Sequence, residues 1–375
     1  MLRLCIWMNI PSHYQTAFYA ALDARPDVDL RVVYFNGASE SRAAEGWKSN
    51  HDQKPFELFV DTAGSPAEWV ETLDDWRERV HVVCGYFSSE LIDWFCTHGT
   101  RWCHWSEAPG IRLAELLGYR TPLFRLLNPL MLAGKRAEGH RIQKHALGAF
   151  GQGHLARRAF QTMGISGAKI ADLYYAPNGL RMAEPCGQIL SFANGRKVFL
   201  AVGALCRRKG VDVLLKAFAS LKTDGWCVVL CGLDKSGGEY EELASTLDIQ
   251  DKVLFLGAYP VERIAEVYCA ADVFVLPSRF DGWGAVLNEA ASLGLPVVGS
   301  DLCGGAWHMV EEGCTGFRVR AASVRSLSSA LRAYVRNPSL ARQHGQAARR
   351  HYNGGFTPAC NAERLAKALN EWCCE

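Results

Sequence analysis

"DGWGAVLNEAASLGLPVVGSD", from Asp281 to Asp301, follows one short apolar run and contains another. The run before it, "DVFVLPS" (272–278), and the internal "LPVVGS" (295–300) are β-branched and apolar on both faces. Such segments read as strands of a parallel sheet covered on both sides. Between them "GAVLNEAASLG" has helical periodicity, so the stretch reads as strand, loop, helix, strand. Trp283 lies between Gly282 and Gly284 in the loop, and a helix is expected from about Ala285 with Glu289 inside it.

The same alternation extends outward. "KVFLAVG", "WCVVLCG" and "KVLFLG" read as strands of the second half, with "GVDVLLKAFASL", "EYEELASTL" and "VERIAEVYCAA" as helices. In the first half "LRLCIWMN", "LRVVYFN", "VHVVCG", "TRWCHW", "ALGAFG" and "IADLYYAP" read as strands, separated by helices such as "YQTAFYAALDA" and "SELIDWFC". Two α/β blocks with doubly covered parallel sheets follow. The expected layout is an N-terminal Rossmann-like domain over 1–180 and a linker over 181–196, where periodicity lapses after a Pro-Asn-Gly turn. A C-terminal Rossmann-like domain over 197–353 and a final amphipathic helix over 354–375, packed back on the first domain, complete it. Ligands of open parallel sheets bind beyond the strands' carboxyl ends, so with two sheets facing each other the chemistry is expected just after strands, in the cleft.

The 375 residues suit two domains, and 49% hydrophobic content is ample for two cores. A net charge of +2 argues against nucleic acid as a partner. The 14 cysteines sit in apolar settings such as "VHVVCG" and "WCVVLCG", where a thiol behaves as a small hydrophobe. No pair of CxxC elements and no zinc-spaced cluster occurs, so a reduced, cytoplasmic compartment is expected. The opening "MLRLCIWMN" reads as a strand without a cleavage region, and no apolar run reaches the ~20 residues of a bilayer span.

Candidate chemistry gathers after the strands of the second half. A helix start after the Asp281 loop offers unpaired N–H groups and partial positive charge to a phosphate, Gly282 and Gly284 allow close backbone approach, and Trp283 between them is expected to line the donor site. Glu289, between apolar neighbours on its helix, suits a vicinal diol such as a ribose. Asp281 suits the hydroxyls of the group that the phosphate carries. Read as structure alone, the same two acids are an N-terminal charge and a surface residue. After Gly203, the loop "RRK" places Arg207, Arg208 and Lys209 before another helix, three cations able to neutralise a diphosphate leaving group. The Lys-Gly order excludes a Walker motif. One of the three cations is expected to be idle.

"VGALCRRKGVDVLLKAF", "VLFLGAYPVERIAEVYCAADVFVLPS" and "DGWGAVLNEAASLGLPVV" together resemble the retaining glycosyltransferases of family 4, which have the GT-B fold. The resemblance implies that Glu289 binds the donor ribose and that Asp281 contacts the donor sugar. It also implies that backbone amides around Gly284, Ala285, Val286 and Leu287 hold the diphosphate together with Lys209. Asp281 stands where the family has Glu, and Ala204 where it often has Arg. No metal or other cofactor is implied, and "DVD" at 27–29 reads as a turn. The acceptor hydroxyl would attack from the leaving-group side as the anomeric bond loosens.

The first half matches less specifically. Asn9, Ser12 and His13 follow the first strand and are candidates for the acceptor side or the donor phosphate, with helix capping as the plain alternative. "RWCHWSEAPG" puts His104 and Glu107 at another strand end, and family members often have a functional histidine near there, which the resemblance carries to His104. "IRLAELLGYRTPLFRLLNPLMLAGKRAEGHRIQKH" (111–145) interleaves leucines with Arg112, Arg120, Arg125 and other cations, a pattern suited to an anionic inner-leaflet surface. The expectation is a retaining, metal-independent transfer of a sugar from a nucleotide-diphosphate donor (a UDP- or GDP-sugar) to a glycan or glycolipid acceptor at the inner face of the membrane. A nucleotide-sugar 2-epimerase-like isomerase and a non-catalytic sugar-nucleotide-binding protein are the alternatives.

Overall fold

A computed structural model describes residues 1–36, 53–61, 63–85 and 89–374. Its residues fall into two units, Met1–Pro109 with Leu126–Asn178 and Thr357–Glu375, and Gly110–Arg125 with Gly179–Phe356.

The first unit holds β1 (Leu2–Met8), β2 (Val28–Tyr34), β3 (Glu57–Phe59), β4 (Val80–Cys84), β5 (Trp102–Ser106), β6 (Gly148–Gly151) and β7 (Ile170–Asp172). They form a parallel sheet in the order β3-β2-β1-β4-β5-β6-β7. The central strands are buried on both faces, as their unbroken apolar runs predict. Phe18, Tyr19 and Leu22 of helix His13–Asp23 share a core with Leu365 and Leu369 of the terminal helix Pro358–Cys374. The Asn361 side chain accepts from Tyr174 N at 3.0 Å and donates to Tyr174 O at 2.8 Å, which fixes that helix to the unit.

The second unit holds β8 (Lys197–Val202), β9 (Trp226–Cys231), β10 (Val253–Gly257), β11 (Val273–Leu276), β12 (Val297–Ser300) and β13 (Gly316–Val319). Their order is β10-β9-β8-β11-β12-β13, all parallel. Strand order reverses between β8 and β11, so the chain leaves these neighbours in opposite directions and opens a crevice beyond their carboxyl ends. The loops at that crevice are Gly203–Lys209 and Pro277–Asp281. This topology alone brings together residues some seventy positions apart.

Three expectations are corrected. Gly110–Arg125 packs in the second unit rather than with 1–180, because Ala114 and Phe124 bury against Phe280, Leu302 and Ala321. The 181–196 stretch is no open linker: it contains the helix Gly187–Ala193, and Cys186 N donates to Glu266 O at 2.9 Å. Strands β3 and β13 add edges that the hydrophobic pattern did not predict.

Candidate functional site

Gly210 sets the first site loop. Its φ is 73°, and an added Cβ would lie 2.2 Å from Pro277 O, so only glycine lets this turn lie against the end of β11. The turn Arg207–Lys209 then delivers its cations beside the other loop. Arg279, buried at 9% exposure, ties the two loops together. Its guanidinium donates two 2.7 Å bonds to Asp212 and one of 2.9 Å to Arg207 O, and its backbone N–H reaches Arg208 O at 2.7 Å.

Within this frame Lys209 Nζ donates to Asp281 Oδ2 at 2.6 Å. Arg208 Nη1 stands 3.5 Å from the same oxygen, and Ser278 Oγ donates to it at 3.4 Å. Burial alone would raise the Asp281 pKa, but the Lys209 and Arg208 charges and the bonds from Lys209 and Ser278 bring it below the ordinary carboxylate value. Asp281 is therefore an anion held by two cations. Arg207 is engaged elsewhere: its Nε donates to Gly118 O at 2.8 Å.

Glu289 lies in the helix Val286–Ser292, in its first turn and one turn earlier than a start at Ala285 suggests. The carboxylate is buried, at 8% exposure, and accepts from Tyr268 Oη at 2.6 Å. Burial pushes its pKa up to about 7, against the lowering effects of the Tyr268 hydroxyl and the Lys209 charge. Near neutrality the group sits on the edge of ionisation, ready for hydrogen-bond donors that favour the charged form.

Trp283, between the two glycines, faces the interior. It is 2% exposed, its Nε1 donates to Asn288 Oδ1 at 2.8 Å, and its carbonyl accepts from Gly305 N at 2.7 Å. It is a buried wedge supporting the loop, which corrects its expected donor contact. Gly284 has φ 81°, and a Cβ there would lie 2.7 Å from both Cys303 Sγ and Leu276 Cδ2. Leu287 N already donates to Gly284 O at 2.9 Å, so among the amides expected to meet a phosphate it is engaged within the turn. Gly203 ends β8, with the Lys209 side chain passing 3.5 Å from where its Cβ would be.

Residues 187–351 match the family model of glycosyl transferases group 1, a span that contains Lys209, Asp281 and Glu289. The match covers most of the second unit. Over 190 residues the chain is 34% identical to a D-inositol 3-phosphate glycosyltransferase of Nocardia farcinica, covering 48% of this chain and 42% of the relative. Over 185 residues it is 29% identical to the lipopolysaccharide core biosynthesis mannosyltransferase LpcC of Rhizobium leguminosarum bv. viciae, covering 47% and 51%. The chain thus spans about half the length of the curated relatives it matches. In fold it resembles Anabaena Alr3699/HepE solved with UDP, with a TM-score of 0.73 and 15% identity over 99% of this chain and 100% of that one. The same Anabaena protein in complex with UDP-glucose gives a TM-score of 0.68 at 14% identity, covering 99% and 100%. These likenesses, and the two parallel sheets, identify the fold as GT-B.

The first unit carries the remaining candidates. Ser12 caps helix His13–Asp23 by position, yet its buried hydroxyl makes no capping bond and has no hydrogen-bond partner among the described residues. The His13 side chain lies outside the described residues. Asn9 accepts from Asn36 Nδ2 at 2.7 Å, and Glu107 is exposed after β5. His104 is corrected: it is fully buried on β5, Nε2 lies 2.9 Å from Ser106 Oγ, and Phe160 packs edge-on to it. Burial, with Lys135 and Arg141, pushes its pKa down to about 3, so it is a neutral core histidine. Tyr268, Arg279 and Ser278 carry no local sequence signature of a site, being a buried aromatic and two strand-end residues.

Proposed function

We propose that the chain is a glycosyltransferase that moves a sugar from a nucleoside diphosphate donor, with retention of configuration and without a metal, to a glycan or glycolipid acceptor. The observation that carries this reading is the constellation at the β8/β11 crevice: Lys209 and Arg208 on one loop, Asp281 on the next, and Glu289 on the following helix. The two cations supply the positive charge that a departing diphosphate needs, the part a divalent metal takes in other sites. Ala285 and Val286 add backbone donors. The 3′ and 2′ hydroxyls of a ribose donate to Glu289, and Asp281 exchanges part of its grip on Lys209 for the sugar's hydroxyls.

As the anomeric bond lengthens, charge accumulates on the diphosphate beside Lys209 and Arg208, and an oxocarbenium-like sugar develops. The acceptor hydroxyl attacks on the face the diphosphate leaves, giving its proton to a diphosphate oxygen. Ser12 and Asn9 are proposed contacts of the first unit. The acceptor is proposed to lie at a membrane surface: Leu123, Leu126 and Leu130 share one side of helix Thr121–Gly134 and are 40%, 66% and 67% exposed, with exposed Arg120 and Arg136 just beyond its two ends in the sequence. No described helix is long and apolar enough to cross a membrane.

The test is turnover of a panel of UDP- and GDP-sugars, followed by release of nucleoside diphosphate. Glu289→Ala should abolish release from the true donor. Undiminished release by that variant would overturn the ribose assignment, and an isomerised nucleotide sugar formed without acceptor would point to epimerase chemistry.

A further inference from the structure

Gly110–Arg125 follows β5 in the sequence and is flanked on both sides by residues of the first unit, yet it packs in the second. Its short helix Ile111–Leu116 ends in a tight turn, with Gly118 and Tyr119 both left-handed at φ 54° and 55°. The turn is closed by Tyr119 N to Ala114 O at 2.8 Å and Gly118 N to Glu115 O at 2.8 Å. A tyrosine seldom adopts that backbone, so the surrounding contacts over-determine it.

Those contacts fall on the two loops of the donor site. Gly118 O receives Arg207 Nε, two residues before Lys209, at 2.8 Å. Phe124 packs edge-on to Phe280, the neighbour of Asp281, with ring centroids 5.4 Å apart. Arg125 Nη2 bonds both oxygens of Asp301, at 2.6 and 2.8 Å, and Asp301 also accepts from Ala321 N at 2.9 Å. Ala114, Leu302 and Ala321 complete a small apolar cluster separate from the main core of the unit. One segment therefore holds the loop bearing Lys209 by a hydrogen bond and the loop bearing Asp281 by an aromatic contact.

We propose that Gly110–Arg125 is a positioning strap for the donor site, with Phe124 and Arg125 as positioning residues that set how Lys209 and Asp281 meet the diphosphate. The proposal rests on the donor-site reading above. It also removes Arg125 from any membrane-facing role, since its charge is engaged by Asp301.

The test uses the full chain with Arg125→Ala and, separately, Phe124→Leu, which keeps an apolar side chain. Hydrogen exchange is followed in peptides covering 203–210 and 279–285, with β9 and β10 as internal controls, and UDP and GDP are titrated by calorimetry. The expected result is exchange about tenfold faster in both loops with unchanged control strands, together with affinity for the nucleotide that the wild type binds weakened about tenfold. Loops that keep wild-type protection overturn the strap, and so do loosened loops with undiminished affinity for that nucleotide. If the wild-type chain binds neither UDP nor GDP while the loops respond to the substitutions, the donor-site reading fails and the mechanical link alone survives.

Discussion

Replacing Glu289 by Gln should stabilise the protein at alkaline pH and do little at acid pH. The carboxyl is buried and its pKa is pushed up to about 7 from an ordinary value of 4.5. Because the folded value lies above the unfolded one, ionisation opposes folding. The penalty is absent below about pH 4.5, grows through the window up to about 7, and is complete above it. At ~1.36 kcal/mol per pH unit, that interval corresponds to about 3 kcal/mol. Glutamine keeps an oxygen for the Tyr268 hydroxyl now 2.6 Å from the carboxylate, and it removes only the charge. For a unit of this size ~1 kcal/mol moves the melting temperature by roughly 2–4 °C, so the gain should approach about 10 °C at pH 8.5. Thermal melts of both proteins between pH 4.5 and 8.5 measure the gap. A gap that stays constant across the range, or widens towards acid, would refute the reasoning.

The same carboxylate links nucleotide binding to pH. If ribose hydroxyls need the charged form, UDP or GDP affinity should be level above about pH 7 and fall by about tenfold per unit below it, measurable by calorimetry. Lys209→Ala should abolish transfer and cost about 3 kcal/mol, because it strips the 2.6 Å partner from a largely buried Asp281. The double variant with Asp281→Asn should regain most of that stability in denaturant titrations and remain inactive. Gly210→Ala should destabilise the chain by at least ~2 kcal/mol, since its Cβ would meet Pro277 O at 2.2 Å on a left-handed backbone. Wild-type stability in that variant would mean the turn has another way to lie.

The α/β class and the crevice loops were legible because parallel-sheet strands carry their own signal. "KVFLAVG", "DVFVLPS" and "LPVVGS" are apolar without alternation and each ends in a glycine, proline or serine. Glu289 was legible as a lone acid in an apolar helix, and Lys209 through its loop. Trp283 misled because a bulky residue between glycines fits both a ligand platform and a wedge, and only the Asn288 bond decides. His104 misled for a similar reason: a strand end does not tell whether a side chain faces ligand or core. Edge strands β3 and β13 escaped because one has three residues and the other begins at Gly316 and carries Arg318. The strap could not be read at all, since which unit a segment joins depends on non-local partners such as Asp301 and Phe280. Tyr268, twenty-one residues before Glu289, reached its partner through tertiary packing that no local pattern encodes.

The most direct measurement is a calorimetric titration of UDP and GDP into the wild-type chain and Glu289→Ala at pH 8. Losing hydrogen bonds to a charged carboxylate is worth ~1.5–3 kcal/mol, so one nucleotide should bind wild type and lose at least about tenfold in affinity to the variant. Equal affinities for the two proteins would contradict the assignment of the β8/β11 crevice as a nucleotide-sugar site.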